Sequence, residues 1–209
     1  WWLDALSLRA VAGWIGGLWL LAGTVAFVAR QRRRSGRLLR GQWGMALAHA
    51  GVGVFVIGVS MVETATTERD FRVEPGQVIE TAGLAFRLDE LAVVKGPNWS
   101  ADEARFTVLD GDREIARMTP QKRRYYRSGQ VMTQVALRPG VFRDLYLAMG
   151  QPLDGDAWSI RIHVKPFIRW IWGGAVLMLL GGFVALTDGR YRSRQATEAA
   201  VRATQRAAA

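Results

Sequence analysis

Gly44-Met45-Ala46-Leu47-Ala48-His49-Ala50-Gly51-Val52-Gly53-Val54-Phe55-Val56-Ile57-Gly58-Val59-Ser60-Met61-Val62 runs for nineteen residues without a charged side chain. At a helical rise of ~1.5 Å per residue it covers about 28 Å, close to the ~30 Å of a bilayer's hydrocarbon core. The stretch therefore predicts a transmembrane helix, and His49 sits within it as an ionisable ring at membrane depth, where such groups mark functional sites. Working outward, Ala10 to Ala29 is free of charge over twenty residues and Trp170 to Thr187 over eighteen, which predicts two further spans. Tryptophans mark their ends: Trp1 and Trp2, Trp43, and Trp170 and Trp172. The expected order is an end segment at 1–9, spans at 10–29, 43–62 and 167–187, an Arg-rich loop at 30–42, a long domain at 63–166 and a basic tail at 188–209.

Orientation follows from where the arginines lie, because Lys and Arg are retained on the cytoplasmic side. Arg30 to Gln42 holds six arginines and no acid, and the tail after Thr187 holds five against Asp188 and Glu198. Both are expected in the cytoplasm, which sends 63–166 to the periplasmic face of a bacterial inner membrane. The same count explains the net charge of +10, since 63–166 contains fifteen basic and fifteen acidic residues. A nucleic-acid-binding domain needs a basic surface of its own, and this one is neutral, so no nucleic-acid partner is expected and membrane lipid is. The chain has no cysteine, which excludes disulfides, thiolate metal sites and covalent haem attachment to this chain. Opening on Trp with no basic leader, it is expected to be the C-terminal piece of a longer membrane protein.

The long domain reads as β structure. Glu74-Pro75-Gly76-Gln77 is a turn, Leu84 to Val94 alternates in part, and Arg105 to Leu109 passes through Asp110-Gly111-Asp112 into Arg113 to Met118 as a hairpin. Val131 to Leu137 and Trp158 to Val164 alternate with period two, which predicts a mainly-β sandwich or open barrel between the second and third helices. His163, the second of two histidines, shares a strand face with Arg161 and Lys165 opposite Ile160, Ile162 and Val164, as a solvated strand histidine would.

His49 has Ala46 and Gly53 at i−3 and i+4, a cleared strip beside the ring. Those small residues suit a helix seam glued by a histidine hydrogen bond, and equally an axial ligand with a porphyrin packed on Ala46 and Gly53. The residues leave the two readings open. For a second axial ligand the three spans offer only Met45, Met61 or Met178.

Four segments carry a resemblance: Gly44 to Gly51, Lys95-Gly96-Pro97-Asn98-Trp99, Arg143-Asp144-Leu145-Tyr146-Leu147-Ala148-Met149-Gly150, and Lys165-Pro166-Phe167-Ile168-Arg169-Trp170-Ile171-Trp172. In these the chain resembles the C-terminal third of the CcmF family, membrane haem lyase subunits of bacterial cytochrome c maturation. The resemblance implies a haem b held between transmembrane histidines, with His49 matching the C-terminal one as a ligand of the haem iron. The family's other transmembrane histidine, its two periplasmic haem-ligating histidines and its tryptophan-rich segment have no counterpart here, and Trp1-Trp2-Leu3-Asp4 is not that segment. It further implies a reaction joining haem vinyl groups to the two thiols of CxxCH on apocytochrome c. Haem would arrive from the chaperone CcmE, apoprotein through a CcmH-type subunit, and electrons from quinol. No catalytic residue is assigned. By itself the chain is expected to bind haem weakly and to be inactive.

The domain at 63–166 is expected to dock partners through Trp99, Arg143, Asp144 and Tyr146, or to brace those residues against its own helices. Two rival functions remain beside the lyase: a transporter component using His49 as a polar intramembrane group, and a haem-independent membrane-anchored assembly subunit.

Overall fold

The computed structural model describes residues 8–189. Trp1 and Trp2 and the basic tail from Arg190 onward therefore lie outside the described residues. Three helices, α1 (Leu8–Ser35), α2 (Arg40–Ala65) and α3 (Ile168–Leu186), are long and apolar enough to cross a membrane. The first overruns its expected end. The charge-free core stops at Ala29, but arginine is a good helix former and its last turn, carrying Arg32, Arg33 and Arg34, complements the negative C-terminal end of the dipole. Gly36 ends it with φ near +70° and a hydrogen bond from its amide to the Arg32 carbonyl, so the connecting loop is only 36–39. The next helix opens with two caps: Gln42 Oε1 accepts from the Leu39 amide at 3.0 Å, and Asp188 Oδ2 accepts from the Gly41 amide at 2.8 Å.

The helices meet through small residues. A Cβ added to Gly51 would fall 2.7 Å from both the Gly174 carbonyl oxygen and the Met178 amide nitrogen. Gly44 is similarly closed by Gly181 and Ala185, and Gly58 by Ile171, giving α2 an antiparallel glycine seam of period seven against α3. On its opposite side Gly53 and Ser60 meet Gly17 and Gly13 of α1. Lipid tails are as apolar as these side chains, so helix contact rests on close backbone approach rather than on burial of large residues. The result is a middle helix flanked on two opposite faces, with its lateral faces open.

The second unit, 65–168, is a two-sheet sandwich. Its strands are β1 (Thr67–Val73), β2 (Val78–Thr81), β3 (Leu84–Lys95), β4 (Trp99–Asp110), β5 (Arg113–Met118), β6 (Gln121–Tyr125), β7 (Val131–Gln134), β8 (Ala136–Arg138), β9 (Arg143–Pro152) and β10 (Trp158–Pro166). One sheet has the order β1-β10-β9-β8; the other has β2-β3-β4-β6-β7, with β5 also on β4. Between them lie Phe86, Leu88, Phe106 and Val108 from one sheet and Leu147, Met149, Ile160 and Ile162 from the other, all fully buried. The hairpin at Asp110 to Arg113 forms as expected, with Gly111 at φ near +59°. The expected single strand Val131 to Leu137 is two: Gln134 pairs with Gln121 in one sheet and Ala136 with Leu147 in the other, so the chain changes sheets at Val135. One junction is strained. Phe167, between β10 and α3, has φ near +55°, a conformation costing a non-glycine residue on the order of 1 kcal/mol. Its amide is held by the Phe142 carbonyl at 2.8 Å and its ring meets Phe142 edge-on at 5.9 Å.

Candidate functional site: an imidazole on an apolar groove

His49 lies on an exposed lateral face of α2, outside both glycine seams. Its Nδ1 stands 2.8 Å from the Met45 carbonyl oxygen of the preceding turn. A carbonyl only accepts, so Nδ1 carries the proton and Nε2 keeps its lone pair, the form in which a histidine binds a metal. Among the described residues the ring bonds within its own helix and leaves Nε2 without a partner.

That nitrogen's ring borders a groove of about 260 Å³ between α1 and α2, with Trp19, Gly23, Thr24 and Phe27 on one wall and Met45, Ala46 and His49 on the other. A Cβ on Gly23 would meet nothing within 4 Å, so the clearance beside the imidazole is on α1. The Thr24 hydroxyl is turned back to the Leu20 carbonyl at 2.8 Å and leaves the wall apolar. Enclosing pockets run to roughly 300–1,000 Å³, so this open groove accepts the edge of a planar macrocycle rather than surrounding one. Residues and groove fit a haem held from one side.

Of the expected packing pair, Ala46 lines the groove and Gly53 does not. A Cβ on Gly53 would lie 2.8 Å from Leu21 Cγ and 3.1 Å from the Gly17 carbonyl oxygen, because Gly53 sits one turn further along α2 than His49, at the height where α1 comes into contact. The methionines fail as second ligands on geometry. Met178 packs at Gly51 on the far seam. Met45 lies one turn from His49 on the same wall, so it could not serve opposite His49 across a bound macrocycle. Met61 lies three turns further along α2. Across the groove α1 offers no imidazole or thioether among the described residues. The α1 wall went unread in the sequence, although Trp19, Gly23 and Phe27 recur at intervals of four, which places them on one helix face.

His163 is not the solvated histidine that its charged neighbours suggest. Its side chain is only 12 % exposed, and both ring nitrogens are buried without a hydrogen bond among the described residues. The ring packs edge-on against Tyr146 of β9 at 4.8 Å, and Glu68 Oε1 of β1 stands 3.4 Å from Nε2. Burial pushes its pKa down, outweighing the attraction of Glu68, while Lys165 and Arg161 push the same way.

The four expected contact residues do not form one patch. Trp99 opens β4, stacked beneath the Arg123 guanidinium at 4.2 Å, whereas Arg143 pairs at 2.6 Å with Asp110, which closes the same strand. Eleven residue steps of strand separate these ends by roughly 35 Å. Asp144 caps its own loop by accepting from the Gly140 amide at 2.8 Å, and Tyr146 is the ring against His163.

Three apolar helices with a free imidazole at mid-span, joined to a β-sandwich, define a membrane protein with a candidate prosthetic-group site. A family profile described as the CcmF C-terminal beta-sandwich matches residues 64–166. The cytochrome c-type biogenesis protein CcmF of Pseudomonas aeruginosa is 38% identical over 197 residues, covering 92% of this chain and 29% of that protein. CcmF of Escherichia coli K12 is 34% identical over 184 residues, 88% of this chain and 28% of its own length. Cytochrome c-type biogenesis protein ccl1 of Rhodobacter capsulatus is 40% identical over 182 residues, 85% and 28% respectively. A solved structure titled Cytochrome c Heme Lyase CcmF shares the fold at a TM-score of 0.63 and 18% identity, over 88% of this chain and 34% of that one. The chain belongs to the CcmF family and spans under a third of the length of these curated relatives.

Proposed function

We propose that this chain is the part of a membrane haem lyase that supplies His49 as one axial ligand of a haem b and carries a periplasmic scaffold domain. The observation that carries the reading is the His49 ring itself, with Nδ1 tied to the Met45 carbonyl and Nε2 open on an apolar groove. The tie fixes the tautomer and the ring plane, so ligation costs little reorganisation. Trp19 and Phe27 keep water from the iron side, and the clearance over Gly23 admits the macrocycle's edge. When bound, the haem supplies one-electron redox chemistry for reducing the iron of the substrate haem, with quinol as the electron source. The second axial ligand comes from outside the described residues. The arginines from Arg30 to Arg40 support a cytoplasmic loop and hence a periplasmic sandwich, where the haem chaperone CcmE, a CcmH-type subunit and apocytochrome c would meet it. Among the described residues no carboxylate or amine lies at depth beside His49, which weighs against a proton-relay transporter.

The test is made in the CcmF-family protein containing this chain. His49→Gly is expected to remove most of the b-type absorption and to stop cytochrome c maturation, with added imidazole restoring the absorption. His163→Gln should change neither. Full haem occupancy in the His49→Gly protein without imidazole would overturn the ligand assignment.

A further inference from the structure

At one end of the sheet β1-β10-β9-β8, three segments come together. The strand β1 begins there, with Thr67 opposite Val164; β10 ends there, with Pro166 opposite Arg143; and the loop 139–142 joins β8 to β9 at the same end. Two of the three lead directly into apolar helices, Ala65 closing α2 and Ile168 opening α3. The loop is tied to that junction by the Phe142 carbonyl, which accepts from the Phe167 amide, and by the edge-on contact of the two rings. Phe142 therefore stands one hydrogen bond away from the residue that precedes α3.

Apolar side chains at the tip of this loop are exposed. Val141 is 66% and Phe142 62% exposed, while the residues after the loop go straight back into the core at Leu145 and Leu147. Arg138 and Arg143 bracket the loop, the first exposed and the second paired with Asp110. The first turn of α3 adds Trp170 and Trp172. An apolar tip flanked by arginines, in a chain whose next helix opens with tryptophans, is the pattern of a segment resting in the headgroup region, rings toward the acyl boundary and guanidinium groups toward phosphate.

We infer that the Pro139-Gly140-Val141-Phe142 loop is a membrane-interface anchor, seating one end of the sandwich in the lipid headgroup layer through Val141 and Phe142. The inference rests on the reading of α3 as a membrane span. It also gives the strained Phe167 a role: the clasp to Phe142 ties the loop to the residue that precedes α3 in the chain.

Absence of cysteine makes the test direct, because any introduced cysteine is unique in the chain. The chain carrying Phe142→Cys or Val141→Cys, spin-labelled and placed in phosphatidylcholine–phosphatidylglycerol nanodiscs, is compared with Asp156→Cys and Leu179→Cys. Asp156 sits at the opposite end of β10, and Leu179 is an exposed residue of α3. Collision with oxygen and with a water-soluble nickel chelate reports the surroundings. Labels at 141 and 142 should show nickel access several-fold below that at 156 with oxygen access retained, falling between the two references. Nickel access equal to that at 156 overturns the anchor, and low access to both reagents overturns it in favour of a protein cover. Nickel access at 179 as high as at 156 would mean that α3 is not in the bilayer, which overturns the membrane reading and the anchor with it.

Discussion

In the helical unit the residues withdrawn from the surroundings include Ala10, Gly17, Gly44, Ala46, Gly51, Gly53 and Gly58, whereas in the sandwich they include Phe86, Leu88, Phe106, Leu147, Met149, Ile160 and Ile162. The large apolar side chains of the helices, such as Trp19, Leu179 and Phe183, point outward. In water a Phe or Leu leaves the surface because the solvent expels it; beside lipid it gains nothing by leaving. The two histidines follow the same inversion. His49 is exposed with Nε2 unpartnered among the described residues, while His163 is half-buried between neighbouring strands. An ionisable ring exposed on a helix in lipid calls for a partner in a way that an exposed Leu does not, whereas partial burial in the sandwich accords with a structural role.

The contrast breaks most readily in the sandwich core. Phe106 is 1% exposed and pairs in register opposite Leu88 and Met118. Phe106→Ala is expected to cost about 3–5 kcal/mol, which is a large share of a domain's stability. Denaturant unfolding followed by far-ultraviolet circular dichroism should show an earlier midpoint for the strand signal while the helical signal is unchanged. A loss below about 1 kcal/mol would mean that the site is not packed as described.

Next in size is the converse substitution in the helices. Gly51→Leu drives a side chain into the Gly174 carbonyl and the Met178 amide, which are backbone atoms and cannot swing aside. About 1–3 kcal/mol of helix packing should be lost. Gly173→Leu, on the same helix as Gly174 but with nothing within 4 Å of its Cβ position, should be neutral. Thermal unfolding in detergent reads the difference, and equal behaviour of the two variants would remove the glycine seam as the source of helix contact.

Much of this arrangement is legible in the chain, and the gaps have physical causes. The spans are plain because a bilayer excludes charge over a fixed length, and the Asp-Gly hairpin is plain because few residues adopt its turn. The strand β9 is not: Leu147, Ala148 and Met149 are all buried in succession, which erases the period-two signal. Nor is β6, whose Lys122, Arg123 and Arg124 carry no apolar alternation, although Arg123 is laid over Trp99. The pairing of β1 with β10, locked by Asp70 and Arg161 ninety-one residues apart, leaves no local trace. At the site, residue spacing set Ala46 and Gly53 beside His49 on α2 but could not tell at what height α1 approaches, so Gly53 falls in the α1 contact and the wall of Trp19 and Phe27 went unread.

The smallest expected effect sharpens the contrast between the histidines through pH. His163 is faced by Glu68 and Asp70 of β1, Tyr146 of β9, and Arg161 and Lys165 of its own strand, and its burial holds its pKa below the ordinary value of 6.5. In the window just under pH 6.5 the unfolded chain therefore binds a proton that the folded chain refuses, so stability declines as pH falls, until the folded-state pKa is passed. Asp70 and Asp89 act in a separate window. Hydrogen bonds from Arg161 to Asp70, and from Thr107 and Arg87 to Asp89 against the cost of burial, hold both carboxylates below 3.8, so their contribution is present above that value and lost only beneath it. Unfolding midpoints measured from pH 7.5 to pH 5 should thus drift downward in the parent protein below about pH 6.5 and stay flatter in His163→Gln, with haem content the same in both. An equal drift in the two proteins would assign the acid sensitivity to other groups and return His163 to the solvated state that its charged strand face suggests.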